Sequence, residues 1–219
     1  MRDFSLVDAA IVDTDPVDVA LQRAIGPWAH LGPHHAAEIL SGFRGDWWVV
    51  GGHAIEAFTR VQRQHHDLDV GFFRADLPAL REHLGSAYDL WSVGSGLLRL
   101  IDDDFPDLHA ESDQVWFRQH AWSPWLIDLL ASPRDGDRWV HKRDPSLAAP
   151  LDQVTWTDQD GIRYLAPDLV LTMKAKARRP RDDADFQVTK DRLTEPARAR
   201  LQDFLRRHHP QHPWLTALG

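Results

Sequence analysis

Trp48-Val49-Val50-Gly51-Gly52-His53-Ala54-Ile55, followed a few polar residues later by Arg63-Gln64-His65-His66-Asp67-Leu68-Asp69-Val70, is the passage on which the reading of this 219-residue chain turns. Trp47 to Val50 is a continuous apolar run of strand length that stops at two glycines, the pattern of a buried strand. From Ala54 to Arg60 the apolar residues Ala54, Ile55, Ala57 and Phe58 fall on one side at helical spacing. A strand that ends in glycine and opens a helix leaves backbone N–H groups uncovered at the helix's positive end, where an anion such as phosphate is favoured. By itself the glycine pair also marks an ordinary tight turn.

The acidic pair sharpens the reading. In a strand around Leu68 to Phe73 the side chains alternate, so Asp67 and Asp69 share one face while Leu68 and Val70 enter the core from the other. Two carboxylates side by side repel each other unless cations hold them, and hard divalent cations such as Mg²⁺ take such oxygens together with substrate phosphates. Two solvated aspartates on an edge strand are the plain alternative. Downstream, Trp125-Leu126-Ile127-Asp128-Leu129 sets one acid in an apolar strand, where burial without a partner is costly. A strand-end aspartate turned to solvent would also fit.

Around this centre the chain alternates helical and extended segments. An N-terminal helix is predicted from the Asp15-Pro16 start and the spacing of Val17, Ala20, Leu21 and Ala24, stopping at Gly26-Pro27. A second helix is expected from His34 to Phe43 and another from Asp76 and Pro78 through Leu84. Strands are expected at Tyr88 to Trp91, Leu97 to Ile101, Gln114 to Arg118 and Trp125 to Leu130. Pro145 and Pro150 suggest a polar loop, and Val154 to Trp156 with Ile162 to Leu165 a hairpin around Asp158 to Gly161. Beyond Pro167 the pattern is helical: one helix to Ala177, a loop at Arg178 to Asp182, then two helices, the second capped by Thr194. The expectation is α+β, with a mixed sheet, flanking helices and a helical C-terminal part, divided as residues 1–165 and 166–219.

The run Gly51-Gly52, helix, Arg63-x-His65-x-Asp67-x-Asp69, with the later Asp128, resembles the nucleotidyltransferase superfamily with the polymerase-beta-like fold, in particular its aminoglycoside 2''-adenylyltransferase-like branch. The likeness extends from Trp47 to Phe186 and touches His212 to Leu215. It departs at His53, where many relatives carry Trp or Tyr, and at Thr59 and Gln62, where Gly and Thr are common. The resemblance implies a polymerase-beta-like palm in residues 1–165, with the helical region packed on it, and transfer of a nucleoside monophosphate, AMP from ATP, to a hydroxyl of a small acceptor. It further implies that Asp67, Asp69 and Asp128 hold two Mg²⁺ ions, and that Gly51, Gly52, Arg63, His65 and Lys174 meet the nucleoside triphosphate. An aminoglycoside-like antibiotic is the acceptor it suggests. A toxin-like enzyme acting on tRNA or protein, a two-metal phosphohydrolase and a silent nucleotide-binding module are the rival readings.

Lys174 shares a helix side with Val170 and Leu171, so it needs a partner, either triphosphate oxygens or one of Asp182, Asp183 and Asp185; Lys176 turns outward. The 13 histidines include no zinc-ligand spacing. Trp91, Trp116 and Trp122 are the candidates for stacking on a base or sugar. Composition supports a folded, water-soluble chain, with 43% hydrophobic and 26% charged residues. No apolar run reaches the roughly 20 residues of a membrane helix. With no cysteine and no signal peptide at Met1 to Ser5, the expected location is cytoplasmic. A net charge of −8 argues against a dedicated nucleic-acid binder, although 11 of the 25 basic residues against 6 of the 33 acidic ones fall between Lys174 and Arg207.

Overall fold

The computed structural model describes residue 9 and residues 16–219, so Asp15, the expected first cap, lies outside the described residues. Helices α1 (Pro16–Ile25) and α2 (Pro33–Ile39) precede β1 (Trp47–Val49), α3 (Gly51–Thr59), β2 (Asp69–Phe73) and α4 (Leu77–Leu84). Then come β3 (Asp89–Gly94), β4 (Leu97–Leu100), β5 (Gln114–Arg118) and β6 (Ile127–Ser132). After β7 (Arg134–Asp135), β8 (Arg138–His141), β9 (Asp144–Pro150), α5 (Leu151–Val154), β10 (Thr155–Thr157) and β11 (Arg163–Leu165), the chain closes with α6 (Pro167–Lys174), α7 (Pro180–Thr189), α8 (Glu195–His208) and α9 (Trp214–Leu218). The class is α+β, as the sequence pattern predicts.

Eight strands form one mixed sheet in the order β10-β11-β1-β2-β6-β5-β3-β4. β2 runs antiparallel to β1 and parallel to β6. The register sets Asp69 beside Asp128, and on the next strand Trp116 beside Asp128. Because side chains across a ladder share a face, the two acids and the indole stand in one row. The core is continuous from Val49, Val70 and Leu129 of the sheet to Leu171, Phe186 and Phe204 of the C-terminal helices. Among the described residues no helix is long and apolar enough to cross a membrane.

Some boundaries differ from expectation. α2 ends at Ile39 rather than Phe43, since Leu40 to Gly42 turn and Gly42 takes a left-handed φ of +84°. The polar loop expected around Pro145 and Pro150 is instead the strand β9, at the edge of a three-stranded sheet ordered β7-β8-β9. An edge tolerates proline because one side of its ladder needs no N–H donor. Thr194 does stand at the N-cap of α8, but its hydroxyl makes no capping bond there. α7 is fastened by the C-terminal segment: Phe186 stacks on Trp214 with centroids 4.4 Å apart, and Trp214 Nε1 donates to Asp183 Oδ1 at 2.6 Å.

Candidate active site

Gly51 opens α3 with φ +62°, a conformation that disfavours any side chain. Its lack of a Cβ serves a second purpose, since a Cβ there would stand 1.9 Å from Asp69 Oδ2. The bare turn is what lets the Asp69 carboxylate press against the start of the helix. At Gly52 a Cβ would stand 1.9 Å from Arg63 Nη2 and 2.9 Å from His65 Nδ1. The two glycines thus admit an acid on one side and a guanidinium on the other.

Asp67 lies in the bend just before β2 rather than inside a strand. It nevertheless lines, with Asp69, Gly52, Arg63, His65, Gln114, Lys174 and Arg179, a polar cavity of about 190 Å³. Asp128 opens into an adjoining cavity of about 180 Å³, where Asp67, Gln114 and Arg179 recur and Trp28 and Trp116 are added. The three predicted carboxylates therefore border one divided cleft, with Asp67 at the join. Burial raises the Asp69 pKa to about 7, helped by the charge of Asp67 and opposed by Lys174, Arg179 and Arg63. Asp128 is held well above the usual carboxylate range by burial and by the charges of Asp69 and Asp67. Gln114 Nε2 donates to Asp128 Oδ2, while Oδ1 is buried without a hydrogen-bond partner among the described residues.

The basic wall is organised differently. Arg63 grips Asp185 with two bonds, Nε to Oδ1 at 2.8 Å and Nη2 to Oδ2 at 3.0 Å. Buried Lys174 lies 2.9 Å from Asp185 Oδ2 and 3.0 Å from Asp182 Oδ1, and Arg179 closes on Asp182 at 3.1 Å. Of the partners open to Lys174 in the sequence, it takes Asp182 and Asp185, whereas Asp183 pairs with Arg178. Lys176 is exposed. His65 Nε2 lies 2.6 Å from Glu56 Oε2; a carboxylate oxygen only accepts, so the imidazole donates. Burial lowers the His65 pKa against that bond. His53 stacks on His65 at 3.7 Å, and burial followed by the charge of His65 lowers it to about 3.

All eight predicted site residues are brought together, though not in one role: Gly51 backs Asp69 without lining either cavity. Sequence reading passed over Glu56, Gln114 and Arg179. Glu56 stands one helical turn beyond Gly52, a spacing that could have flagged it; Gln114 and Arg179 carry no local signal. Of the tryptophans, Trp116 borders the cleft, and Trp122 is 91% exposed.

The donor set fits Mg²⁺: the half-buried Asp69 and the buried Asp128 adjacent in register, a third carboxylate beside them, and a buried oxygen without a partner. Among the described residues no three His, Cys, Asp or Glu side chains are gathered tightly enough to cage a metal on their own.

No family model and no curated protein matches the chain. Among solved structures, a solution structure of the antibiotic-resistance factor ANT(2'')-Ia aligns at TM-score 0.53 and 12% identity, over 81% of this chain and 90% of that one. A crystal structure of ANT(2'')-Ia with adenylyl-2''-tobramycin aligns at TM-score 0.52 and 11% identity, over 80% of this chain and 95% of that one. At such identities the likeness is one of architecture, and in architecture this chain has the nucleotidyltransferase fold.

Proposed function

We propose that the protein transfers a nucleoside monophosphate, AMP from ATP, to a hydroxyl group of a small acceptor. The observation that carries the reading is the row of Asp69 and Asp128 across two parallel strands, with Asp67 at their side and the Gly51-Gly52 turn behind. Neighbouring acids whose pKa values are raised by burial and by one another's company, Asp67 acting on both and Asp69 on Asp128, are a poor way to stabilise a fold and a good way to hold cations.

Asp67, Asp69 and Asp128 would hold Mg²⁺, which when bound neutralises phosphate charge and polarises the α-phosphorus. The triphosphate lies along the cavity edged by Gly52, Arg63, His65, Lys174 and Arg179. Arg63 and Lys174, oriented by Asp185, meet the β and γ oxygens and offset the charge that grows on the departing pyrophosphate. His65, held by Glu56, stands beside the Arg63 guanidinium over Gly52, where it borders the phosphates. Asp128, beside Asp69 at the edge of the cleft, takes the proton of the attacking hydroxyl. The adenylylated tobramycin bound to the ANT(2'')-Ia neighbour supports AMP as the group moved and an aminoglycoside-like antibiotic as the acceptor.

The test is an assay for α-³²P transfer from ATP to a pooled acceptor library, read by mass spectrometry for a nucleoside-monophosphate increment. Asp69→Asn is expected to abolish Mg²⁺-dependent transfer while the folded spectrum persists; transfer at the wild-type level would overturn the assignment.

A further inference from the structure

The two compartments of the cleft have different walls. Gly52, Arg63 and Lys174 edge the phosphate side. The other compartment, about 180 Å³, is bordered by α1, which presents Asp18, Leu21 and Gln22 to it, positions three and four apart that share one helix face. Gln22 is 7% exposed. Its backbone carbonyl accepts from Gly26 N, but its side-chain amide makes no hydrogen bond among the described residues. A buried amide without a partner costs stability, so its presence on this face calls for another reason. Nor is α1 loosely placed. At its start Arg181 Nη2 donates to Asp18 Oδ2 at 3.0 Å, which ties it to α7. At its end Trp125 Nε1 donates to the Ile25 carbonyl at 3.0 Å and Trp125 N to that of Pro27 at 3.0 Å. Trp28 and Trp116, with ring centroids 4.9 Å apart, give the same compartment its apolar surface.

We propose, on the footing of the nucleotidyl transfer above, that this compartment seats one hydroxylated ring of the acceptor and that Gln22 is the residue that selects it, its amide bonding a hydroxyl of that ring other than the one that reacts. With the triphosphate along Gly52, Arg63 and Lys174, the space beside α1 is left to the acceptor and not to the nucleotide. Its size admits a single ring of the sugar kind; further rings extend past Leu21, which is 47% exposed, into solvent. An amide offers a carbonyl to accept and an N–H to donate, and a ring hydroxyl, itself donor and acceptor, satisfies it in either orientation. Apolar ring walls with one fixed polar group are the ordinary means of orienting a small ligand. A site that holds a polar group ready for a substrate hydroxyl rejects analogues lacking that hydroxyl more strongly than an apolar pocket does.

The experiment uses the full chain with Mg²⁺-ATP and three probes: tobramycin, methyl glucoside as a single hydroxylated ring, and cyclohexanol as a ring with one hydroxyl only. Gln22→Leu is expected to lower kcat/KM for tobramycin and methyl glucoside about tenfold, to leave cyclohexanol and the KM for ATP unchanged, and to melt no lower than wild type, because an unpaired buried amide has become apolar. In the wild-type chain with α,β-methylene-ATP and Mg²⁺ present, tobramycin is expected to shift the ¹⁵N side-chain amide signal of Gln22, a readout that stands even if the variant folds poorly. An equal loss with all three probes makes Gln22 structural, and a raised KM for ATP puts the nucleobase in the compartment; either overturns the proposal. So do unchanged kinetics in Gln22→Leu, and a wild type that adenylylates members of the pooled acceptor library but neither tobramycin nor methyl glucoside. If no member of that library takes AMP, the reading of the whole site falls and the ring compartment with it.

Discussion

The two walls of the cleft meet their charge in opposite ways. On the sheet, Asp69 and Asp128 sit side by side with no ion-pair partner among the described residues, burial and the charge of Asp67 raising both pKa values and the charge of Asp69 raising that of Asp128 further. On the helices, Lys174, Arg63 and Arg179 are already neutralised by Asp182 and Asp185. One wall is under repulsion that a bound proton or an added cation relieves, whereas the other is satisfied and must exchange partners to receive an anion. A ligand that brings metal and phosphate together serves both walls at once, which is why the difference reads as a binding site and not as a structural network.

That contrast can be broken most severely on the acidic side. Asp69→Asn should reduce nucleotide transfer by about a thousandfold or more, in the range seen when a positioned electrostatic group is lost, while raising thermal stability because a repelling charge is gone. Transfer kinetics and a melting curve on the same sample check both halves of the expectation. On the basic side, Asp185→Ala leaves Lys174 buried with one partner fewer and Arg63 released, and should cost about 3–5 kcal/mol in urea unfolding, as broken buried pairs do. If the two variants shift stability in the same direction, the asymmetry between the walls is wrong.

The pH dependence sharpens the point. The Asp69 pKa lies near 7 in the folded chain and at 3.8 ordinarily, so the folded state binds the proton more tightly than the unfolded one between those values. Its contribution to stability therefore grows as pH falls through 7 and levels off near pH 4. The melting temperature of metal-free protein should fall from pH 5 to pH 8 by roughly 2–4 °C for each kcal/mol of repulsion restored, and Asp69→Asn should flatten that slope. The smallest expected effect is at the join of the walls. Gly52→Ala drives a methyl into Arg63 Nη2, and should weaken Mg²⁺-ATP binding about tenfold by calorimetry while changing stability by less than about 1 kcal/mol.

Much of this site was legible in one stretch of sequence, and the reason is local. Gly51, Gly52, Arg63, His65, Asp67 and Asp69 lie within one strand-helix-strand passage, where a change of hydrophobic period and a pair of glycines carry structural meaning residue by residue. Asp128 was visible only as an acid out of place in an apolar strand; its partnership with Asp69 is a matter of register between strands far apart in the chain. Gln114, Arg179 and the choice of Asp182 and Asp185 by Lys174 depend wholly on how the sheet and the helices pack. The prolines of β9 misled for another reason: proline forbids a central strand but not an edge, and which strand is an edge is decided by the topology, not by the residue.

The fastening of α7 has a consequence far from the chemistry. That helix supplies Asp182 and Asp185 to the cations, and the adjoining Asp183 and Phe186 are clasped by Trp214 through an indole hydrogen bond and a stacked ring. A lesion at Trp214, a residue that touches neither carboxylate wall, would let the helix drift and spoil the alignment of Arg63 and Lys174 together. Sensitivity to damage in this protein is thus transmitted along a single short rod, and its far end is a site where inactivating changes should gather without ever touching the proposed nucleotide cleft.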